Sequence, residues 1–352
     1  MSIIRYLKSS STLRLTFPFG KTLALAVVIL ALASGIAEGA ARTGAVRAQF
    51  AFSNVGSPNP YFEQHVAALD YQAQAHGRVD CIVLGSSMVD NGFDPASFAA
   101  AYQQQTHTAL NCANFGIAGI VTWQMADMTR LVTDLYHPRL LILGTSARDF
   151  SDAIGNLSAT FGGDVMQAPW VRYRLGLGFS SEGWLVDHSY AVRNLLGLRR
   201  WAQNLGQTGA VFVPEPPVDL SQPPDRQAEA ATYDLLSHYE ISPRNLAGLQ
   251  QIVALGRQGV QVLVVEMPVH PTYIDFFGRG EQDQDLFRAT VVQATQAQNV
   301  PFLPADRNLA MPNSDWTNRN HLNPQGAKVF SAWLARRVAQ TASAGQLDLA
   351  AH

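Results

Sequence analysis

Charged side chains are scarce in this sequence. Only 15% of its 352 residues are Asp, Glu, Lys or Arg, whereas globular proteins average about 25%. The 25 basic and 27 acidic residues leave a net charge of −2. This balance lacks the positive excess by which proteins hold nucleic acids, so we predict no nucleic-acid partner.

Cysteine is also nearly absent. Two cysteines in a chain of this length exclude a fold built on disulfides and a cysteine-rich zinc module. No cluster of His, Asp or Cys has metal-ligand spacing, and the sequence contains no glycine-rich phosphate loop. We therefore predict neither a metal nor another cofactor. Apolar residues are plentiful at 47%, enough to build a sizeable core.

A long apolar run lies near the amino terminus. Residues 22–37 carry no charge, and the residues before them include no acid and four bases: Arg5, Lys8, Arg14 and Lys21. Basic residues before an apolar segment favour the cytoplasm, so we expect the rest of the chain on the other side of the membrane. The run is either a single-pass anchor, which we favour, or a signal peptide cleaved near the small residues Ala37, Gly39, Ala40 and Ala41. A buried core helix is the third interpretation.

Beyond residue 77, short apolar runs alternate with helical patterns. The five runs have the composition of buried parallel strands and cover residues 81–84, 110–115, 140–143, 260–265 and 300–303. Helices are predicted at residues 98–105, 121–136 and 285–298 and from Pro243 and Pro324 onward. Strand alternating with helix five times predicts an α/β fold with a doubly wound, five-stranded parallel sheet.

We divide the chain on this basis. Residues 1–42 would form the basic cytoplasmic segment and the membrane helix, 43–77 a connecting segment, and 78–345 the α/β domain. Residues 152–240 interrupt that domain as an insertion rich in Trp, Arg and Leu, with five prolines between 214 and 224. We predict that this insertion is helical in part and irregular in part, and that it lies over the carboxyl edge of the sheet.

Polar residues follow the predicted strands at the edge where open parallel sheets bind ligands. Gly85-Ser86-Ser87 follows the first strand, Gly119 comes shortly after the second, Ser146 follows the third, and His321 precedes the last helix. This order resembles the SGNH (GDSL-like) hydrolase superfamily, whose fold is flavodoxin-like. In that family a Gly-x-Ser, a Gly, an Asn and a final Asp-x-x-His occupy these places. The resemblance covers residues 80–339.

The resemblance implies a role for each matching residue. Ser87 would be the nucleophile and His321 the general base that takes its proton, since a serine hydroxyl is a poor nucleophile alone. The backbone N–H groups of Ser87 and Gly119, with the hydroxyl of Ser146, would form an oxyanion hole.

Two of the four motifs depart from the family pattern. Ser146 stands where the family has Asn, and Asn318 occupies the place of the acid three residues before His321. The nearest acid is Asp315, so either Asp315 or Asn318 would orient the imidazole. An amide cannot stabilise an imidazolium by charge, although it can fix the tautomer of the ring.

Further residues at the strands keep two interpretations each. Arg148 either pairs with Asp149 or holds an anionic group of a substrate, and His270 is either a structural or substrate-binding wall residue or a base. Cys81 and Cys112 fall on strands expected to be neighbours, where they either form a disulfide or remain buried thiols.

The resemblance implies an extracytoplasmic serine esterase or O-acyltransferase that is tethered to the membrane. Its partners would be an ester-bearing cell-envelope polymer or a lipid-linked acyl donor. Because two motifs are altered, the alternative is a catalytically degenerate domain that binds glycan or scaffolds an envelope complex. An esterase for small soluble esters is a third hypothesis.

Overall fold

The computed structural model describes residues 19–49, 55–57, 59–154, 163–204, 218–305 and 309–349. The chain divides into two units, Met1–Gln49 and Phe50–His352. In the first unit, α1 spans Phe19–Ala41 and α2 spans Gly44–Gln49. Of the four bases before the apolar run, only Lys21 lies within the described residues.

Helix α1 has the length and composition to cross a membrane. Its stretch Gly20–Ala41 has 22 residues, a mean hydropathy of 2.1, and no buried share in its most apolar window. At about 1.5 Å per residue this length matches a hydrocarbon core of ~30 Å. The helix is equally compatible with a membrane anchor and with a signal sequence.

The second unit is built on a parallel sheet with the strand order β2-β1-β3-β4-β5. The strands are β1 (Cys81–Gly85), β2 (Cys112–Gly116), β3 (Leu140–Thr145), β4 (Gln261–Glu266) and β5 (Phe302–Pro304). Every residue of β1 and β3 is buried, which explains why these strands are continuous apolar runs. This order is the flavodoxin-like one, and the predicted doubly wound, five-stranded α/β fold is confirmed.

Twelve further α-helices lie in the described part of the second unit. They are α3 (Pro60–His76), α4 (Ser87–Gly92), α5 (Pro95–Thr106), α6 (Thr122–Tyr136), α7 (Gly163–Gln167), α8 (Pro169–Arg174), α9 (Ser181–His188), α10 (Tyr190–Asn204), α11 (Ala230–Leu236), α12 (Pro243–Ala254), α13 (Glu281–Gln296) and α14 (Pro324–Ser343). Asn59, Asp94 and Asn323 cap α3, α5 and α14 with a side-chain oxygen, and a proline follows each cap. One face of the sheet packs against α3, α6, α12 and α13, and the other packs against α5 and α14.

Helix α3, which the sequence assigned to a connecting segment, belongs to the core. Phe62 and Leu69 are fully buried in it. The buried carboxylate of Glu63 accepts the backbone N–H groups of Val55 and Ser57 at 2.7 Å each. These bonds fasten the chain that leads into α3.

Helices α8 and α10 of the insertion pack against α6 and α3, which cover one face of the sheet, whereas α11 contacts the segment after β3 through the bond from Ser151 Oγ to the Leu235 carbonyl. Trp170 of α8 is buried, the carbonyl of Leu175 accepts a bond from Arg130 of α6, and Arg193 of α10 pairs with Asp70 of α3. Residues 155–162 and 205–217 of the insertion, including three of the five prolines between 214 and 224, lie outside the described residues. Segment 218–229, by contrast, reaches the carboxyl edge.

Cys81 and Cys112 form a disulfide. They are opposite each other in the register of β1 and β2, at the amino ends of both strands. The bond therefore staples the sheet at the edge remote from the polar residues that follow the strands.

Candidate active site

Three glycines at the ends of adjacent strands let helix α4 lie directly on the sheet. A Cβ on Gly85 would lie 2.3 Å from Val89 Cγ2, and one on Gly144 would lie 2.4 Å from the same atom. A Cβ on Gly116 would lie 2.1 Å from a backbone nitrogen of α4. Since none of these glycines has room for a side chain, the close approach of α4 to the strand ends sets where the helix begins. Its first residue is Ser87, which is half-buried.

The hydroxyl of Ser87 meets an imidazole from the far end of the chain. Ser87 Oγ lies 2.9 Å from His321 Nε2, across a sequence separation of 234 residues. This distance is within the range needed for direct proton transfer between a nucleophile and its base. The structure thus brings together the two residues proposed as nucleophile and general base.

His321 sits in a tight turn just before α14. Trp316 and Leu322 form an antiparallel bridge across the turn, and the Thr317 N–H donates to the His321 carbonyl at 2.9 Å. The imidazole therefore projects from a small hairpin instead of a flexible loop.

Asn318, and not Asp315, contacts the ring of His321. Asn318 Nδ2 lies 3.0 Å from His321 Nδ1. Asn318 Oδ1 accepts the backbone N–H groups of Asn320 at 3.1 Å and His321 at 2.8 Å. Across the described residues, the carboxylate of Asp315 makes no hydrogen bond to the imidazole. The backbone carbonyl of Asp315 accepts the N–H of Asn323 at 3.0 Å.

The two backbone N–H groups that the sequence predicts for the oxyanion hole are those of Ser87 and Gly119. Gly119 lies in a turn with φ +79°, a conformation that favours glycine. The Ile117 N–H donates to the Gly85 carbonyl at 2.9 Å and so fastens this turn to the end of β1. In the part of the chain that the structure describes, the N–H groups of Ser87 and Gly119 donate to no protein atom.

Ser146 is engaged elsewhere, contrary to the prediction of a third oxyanion donor. Its N–H and its hydroxyl both donate to Asp149 Oδ2, at 2.9 and 3.3 Å. A hydroxyl has one proton to give, so Ser146 is committed to Asp149 in this structure. Burial raises the pKa of the Asp149 carboxyl, and the Arg148 guanidinium and the bonds from Ser146 oppose that rise.

Arg148 and His270 have internal partners. Arg148 Nη1 lies 3.3 Å from Asp149 Oδ1, so the ion-pair interpretation describes it. His270 is buried, with Nδ1 2.8 Å from Thr272 Oγ1 and Nε2 3.1 Å from Asn313 Oδ1. Both ring nitrogens are used in these bonds, which makes His270 a structural residue of the wall.

Arg319 is the residue that the sequence analysis missed. Its side chain is 2% exposed and forms an ion pair with Glu229 at 3.1 Å. It also donates to Thr272 Oγ1 and to the carbonyls of Gln222, at 2.9 Å, and Asp219, at 3.4 Å. Arg319 therefore joins segment 218–229 to the turn that carries His321. The one signal for it was an isolated base in the otherwise neutral run of residues 316–323.

The site has no candidate metal ligands among the described residues: there, no three His, Cys, Asp or Glu side chains are grouped to hold an ion. A cavity of about 1190 Å³ lies among α11, α12 and α13, and its lining includes neither Ser87 nor His321. The chemistry that the site supports is that of a serine–histidine pair.

No protein-family model and no curated protein matches the chain. Solved structures similar to it include Est24, a carbohydrate acetylesterase from Sinorhizobium meliloti, at 11% identity over 74% of this chain and 99% of the other, with a TM-score of 0.37. An aryl esterase of M. smegmatis is 12% identical over 74% and 99%, with a TM-score of 0.35. AlinE4, a SGNH-hydrolase family esterase, is 13% identical over 75% and 97%, with a TM-score of 0.34. At such low scores, the chemistry has to be inferred from the side chains of this chain alone.

Proposed function

We propose that this protein is a serine esterase or O-acyltransferase of the SGNH type that acts on ester-linked acyl groups. The observation that carries the proposal is the distance of 2.9 Å between Ser87 Oγ and His321 Nε2. The N–H groups of Ser87 and Gly119 support it, because they donate to no protein atom among the described residues and ester cleavage passes through an oxyanion that needs such donors.

The proposed reaction has two halves. Ser87 Oγ attacks the ester carbonyl carbon, its proton passes to His321 Nε2, and the carbonyl oxygen becomes an oxyanion at the two N–H groups. The ester C–O bond then breaks, and the leaving alkoxide takes the proton from His321. Water or an acceptor hydroxyl next attacks the acyl-enzyme, gives its proton to His321, and releases Ser87, which recovers its proton.

We further propose that the domain works outside the cytoplasm, anchored by α1. The basic flank and apolar run of the first unit favour this orientation. The disulfide between Cys81 and Cys112 agrees with it, since disulfides persist mainly in oxidising compartments. An anchored domain outside the cytoplasm is surrounded by envelope polymers, so their acyl esters, or a lipid-linked acyl donor, are the proposed substrates.

The test is release of acetate from an O-acetylated envelope polysaccharide and from p-nitrophenyl acetate by the full chain. We expect release that Ser87→Ala abolishes and that Ser97→Ala, a matched change at the start of α5, leaves unchanged. Transfer of label from an acyl donor to deacetylated polysaccharide, against release to water, separates transferase from esterase. Equal release by wild type and Ser87→Ala would exclude Ser87 as the nucleophile.

The second candidate is a catalytically degenerate domain that binds glycan. It is favoured by the commitment of the Ser146 hydroxyl to Asp149 and by an amide in place of the acid beside His321. Binding of the polysaccharide by wild type and by Ser87→Ala alike, with no acetate release from either substrate, would establish this candidate in place of the enzyme.

A further inference from the structure

The orientation of the Asn318 amide is fixed by its own turn. Its Oδ1 receives two backbone N–H groups, from Asn320 and His321, at 3.1 and 2.8 Å. A flipped amide would point its NH2 at those two donors, and a donor facing two donors is unfavourable. Nδ2 is therefore the atom that faces His321 Nδ1, at 3.0 Å.

The turn that carries Asn318 and His321 is held by further contacts, so the amide and the imidazole have little freedom to move apart. Asn318 is buried, and the next residue, Arg319, is held by Glu229, Thr272 and the carbonyl of Gln222. The Thr317 N–H closes the turn on the His321 carbonyl. The amide and the ring are thus held against each other from both sides.

An amide nitrogen only donates hydrogen bonds, so His321 Nδ1 has to accept this one. A neutral imidazole with an accepting Nδ1 carries its proton on Nε2. That proton then points at Ser87 Oγ, 2.9 Å away. In this state the ring donates to the serine and has no lone pair with which to take its proton.

We infer that Asn318 holds neutral His321 in the tautomer protonated on Nε2, so that the resting Ser87–His321 pair is restrained from forming an acyl-enzyme. The inference rests on the proposed function. Proton transfer from Ser87 first requires the ring proton to move from Nε2 to Nδ1, where it faces the Asn318 NH2. In a Ser-His-Asp triad, replacement of the acid by its amide leaves the geometry intact, yields the wrong tautomer and lowers kcat about 10⁴-fold. Asn318 is therefore a positioning residue that acts through His321.

The first test reads the tautomer directly. The full chain, labelled with ¹⁵N-histidine and held in detergent, is examined by long-range ¹H–¹⁵N correlation, and His321 is assigned by its loss in His321→Ala. We expect a protonated Nε2 and an unprotonated Nδ1 in wild type, and the reverse in Asn318→Asp, whose second carboxylate oxygen would accept from Nδ1. A protonated Nδ1 in neutral wild-type His321 would overturn the inference.

The second test measures how the tautomer of His321 affects the reactivity of Ser87. The rate at which a fluorophosphonate labels Ser87 should rise in Asn318→Asp, by up to about 10⁴-fold, and should not change in Asn320→Asp, which adds the same charge two residues away. Measurable labelling at equal rates in wild type and Asn318→Asp would contradict the restraint. If neither labels although the tautomers are as expected, the proposed function fails and the inference about the ring stands.

Discussion

The two halves of the candidate site are built by different means. Ser87 lies where α4 meets the strand ends, a region that we call the Ser87 corner, and its position is set by the close approach of α4 to Gly85, Gly116 and Gly144, which admit no side chain. The turn that carries His321 is set by side chains, because Asn318 closes it from within and Arg319 anchors it from outside. We therefore expect few substitutions at these glycines to be tolerated. A single substitution at Asn318, by contrast, should change the hydrogen bonding of the His321 ring without disturbing the sheet.

We expect the largest effect on stability from removal of the disulfide, which joins the amino ends of β1 and β2. Replacing Cys81 and Cys112 by Ser removes a cross-link between residues 31 apart, which should lower the free energy of unfolding by about 3–4 kcal/mol. Ser87 labelling should stay unchanged, since the bond lies at the opposite edge of the sheet. Urea unfolding of the double variant and of reduced wild type checks this, and altered labelling at equal stability would contradict it.

The anchor of the His321 turn should be nearly as important for stability. Arg319→Met leaves the carboxylate of Glu229 without its buried partner, and we expect a loss of about 3 kcal/mol. Hydrogen exchange should quicken in residues 218–229 and 316–322 and stay unchanged in β1 and β3. Arg336→Met, an exposed arginine on α14, is the control. Unchanged exchange in both segments would show that Arg319 is not the anchor.

A methyl group at the Ser87 corner should cost less stability but disturb the site directly. The Cβ of Gly116→Ala would lie 2.1 Å from a backbone nitrogen of α4, and overpacking of this kind costs about 1–3 kcal/mol. Labelling of Ser87 should slow because α4 has to move. Gly256→Ala, whose Cβ would meet its nearest atom at 3.9 Å, is the matched control. Equal labelling rates in the two variants would show that α4 accommodates the added methyl group without displacing Ser87.

The smallest effect should follow from Ser146→Ala. Its hydroxyl makes one long bond, 3.3 Å, to Asp149, so stability should change by less than about 1 kcal/mol. Labelling of Ser87 should change less than about threefold, whereas loss of an oxyanion donor costs ~10²–10³ in rate. If Ser146→Ala instead lowers the rate of acetate release by ~10²–10³-fold, Ser146 is an oxyanion donor after all.

The same contrast explains what the sequence predicts and what it does not. Strands such as 140–143 are continuous apolar runs between breakers, and Ser87 and His321 follow from short motifs at the sheet edge, so local patterns suffice. The choice of Asn318 over Asp315 depends on which side chain the closed turn presents to the ring. The commitment of Ser146 to Asp149 likewise appears only when the third strand and its following turn are folded.

Arg319 and helix α3 show the limit of local patterns most clearly. The partners of Arg319 are about 90 or more residues away in segment 219–229 and 47 residues away at Thr272. Hydrophobic periodicity in the sequence does not predict contacts between residues so far apart in the chain. Most apolar residues of helix α3 are alanines and tyrosines, and its burial depends on neighbours such as Phe115, 5.9 Å from Phe62 between ring centroids.

The most direct test of the catalytic pair is peptide mapping of the fluorophosphonate adduct in full-length wild type, Ser87→Ala and His321→Ala. The account predicts an adduct on Ser87 in wild type that is absent in Ser87→Ala and strongly reduced in His321→Ala, with all three proteins folded. An adduct on another serine, or undiminished labelling of Ser87 without the imidazole, would contradict it.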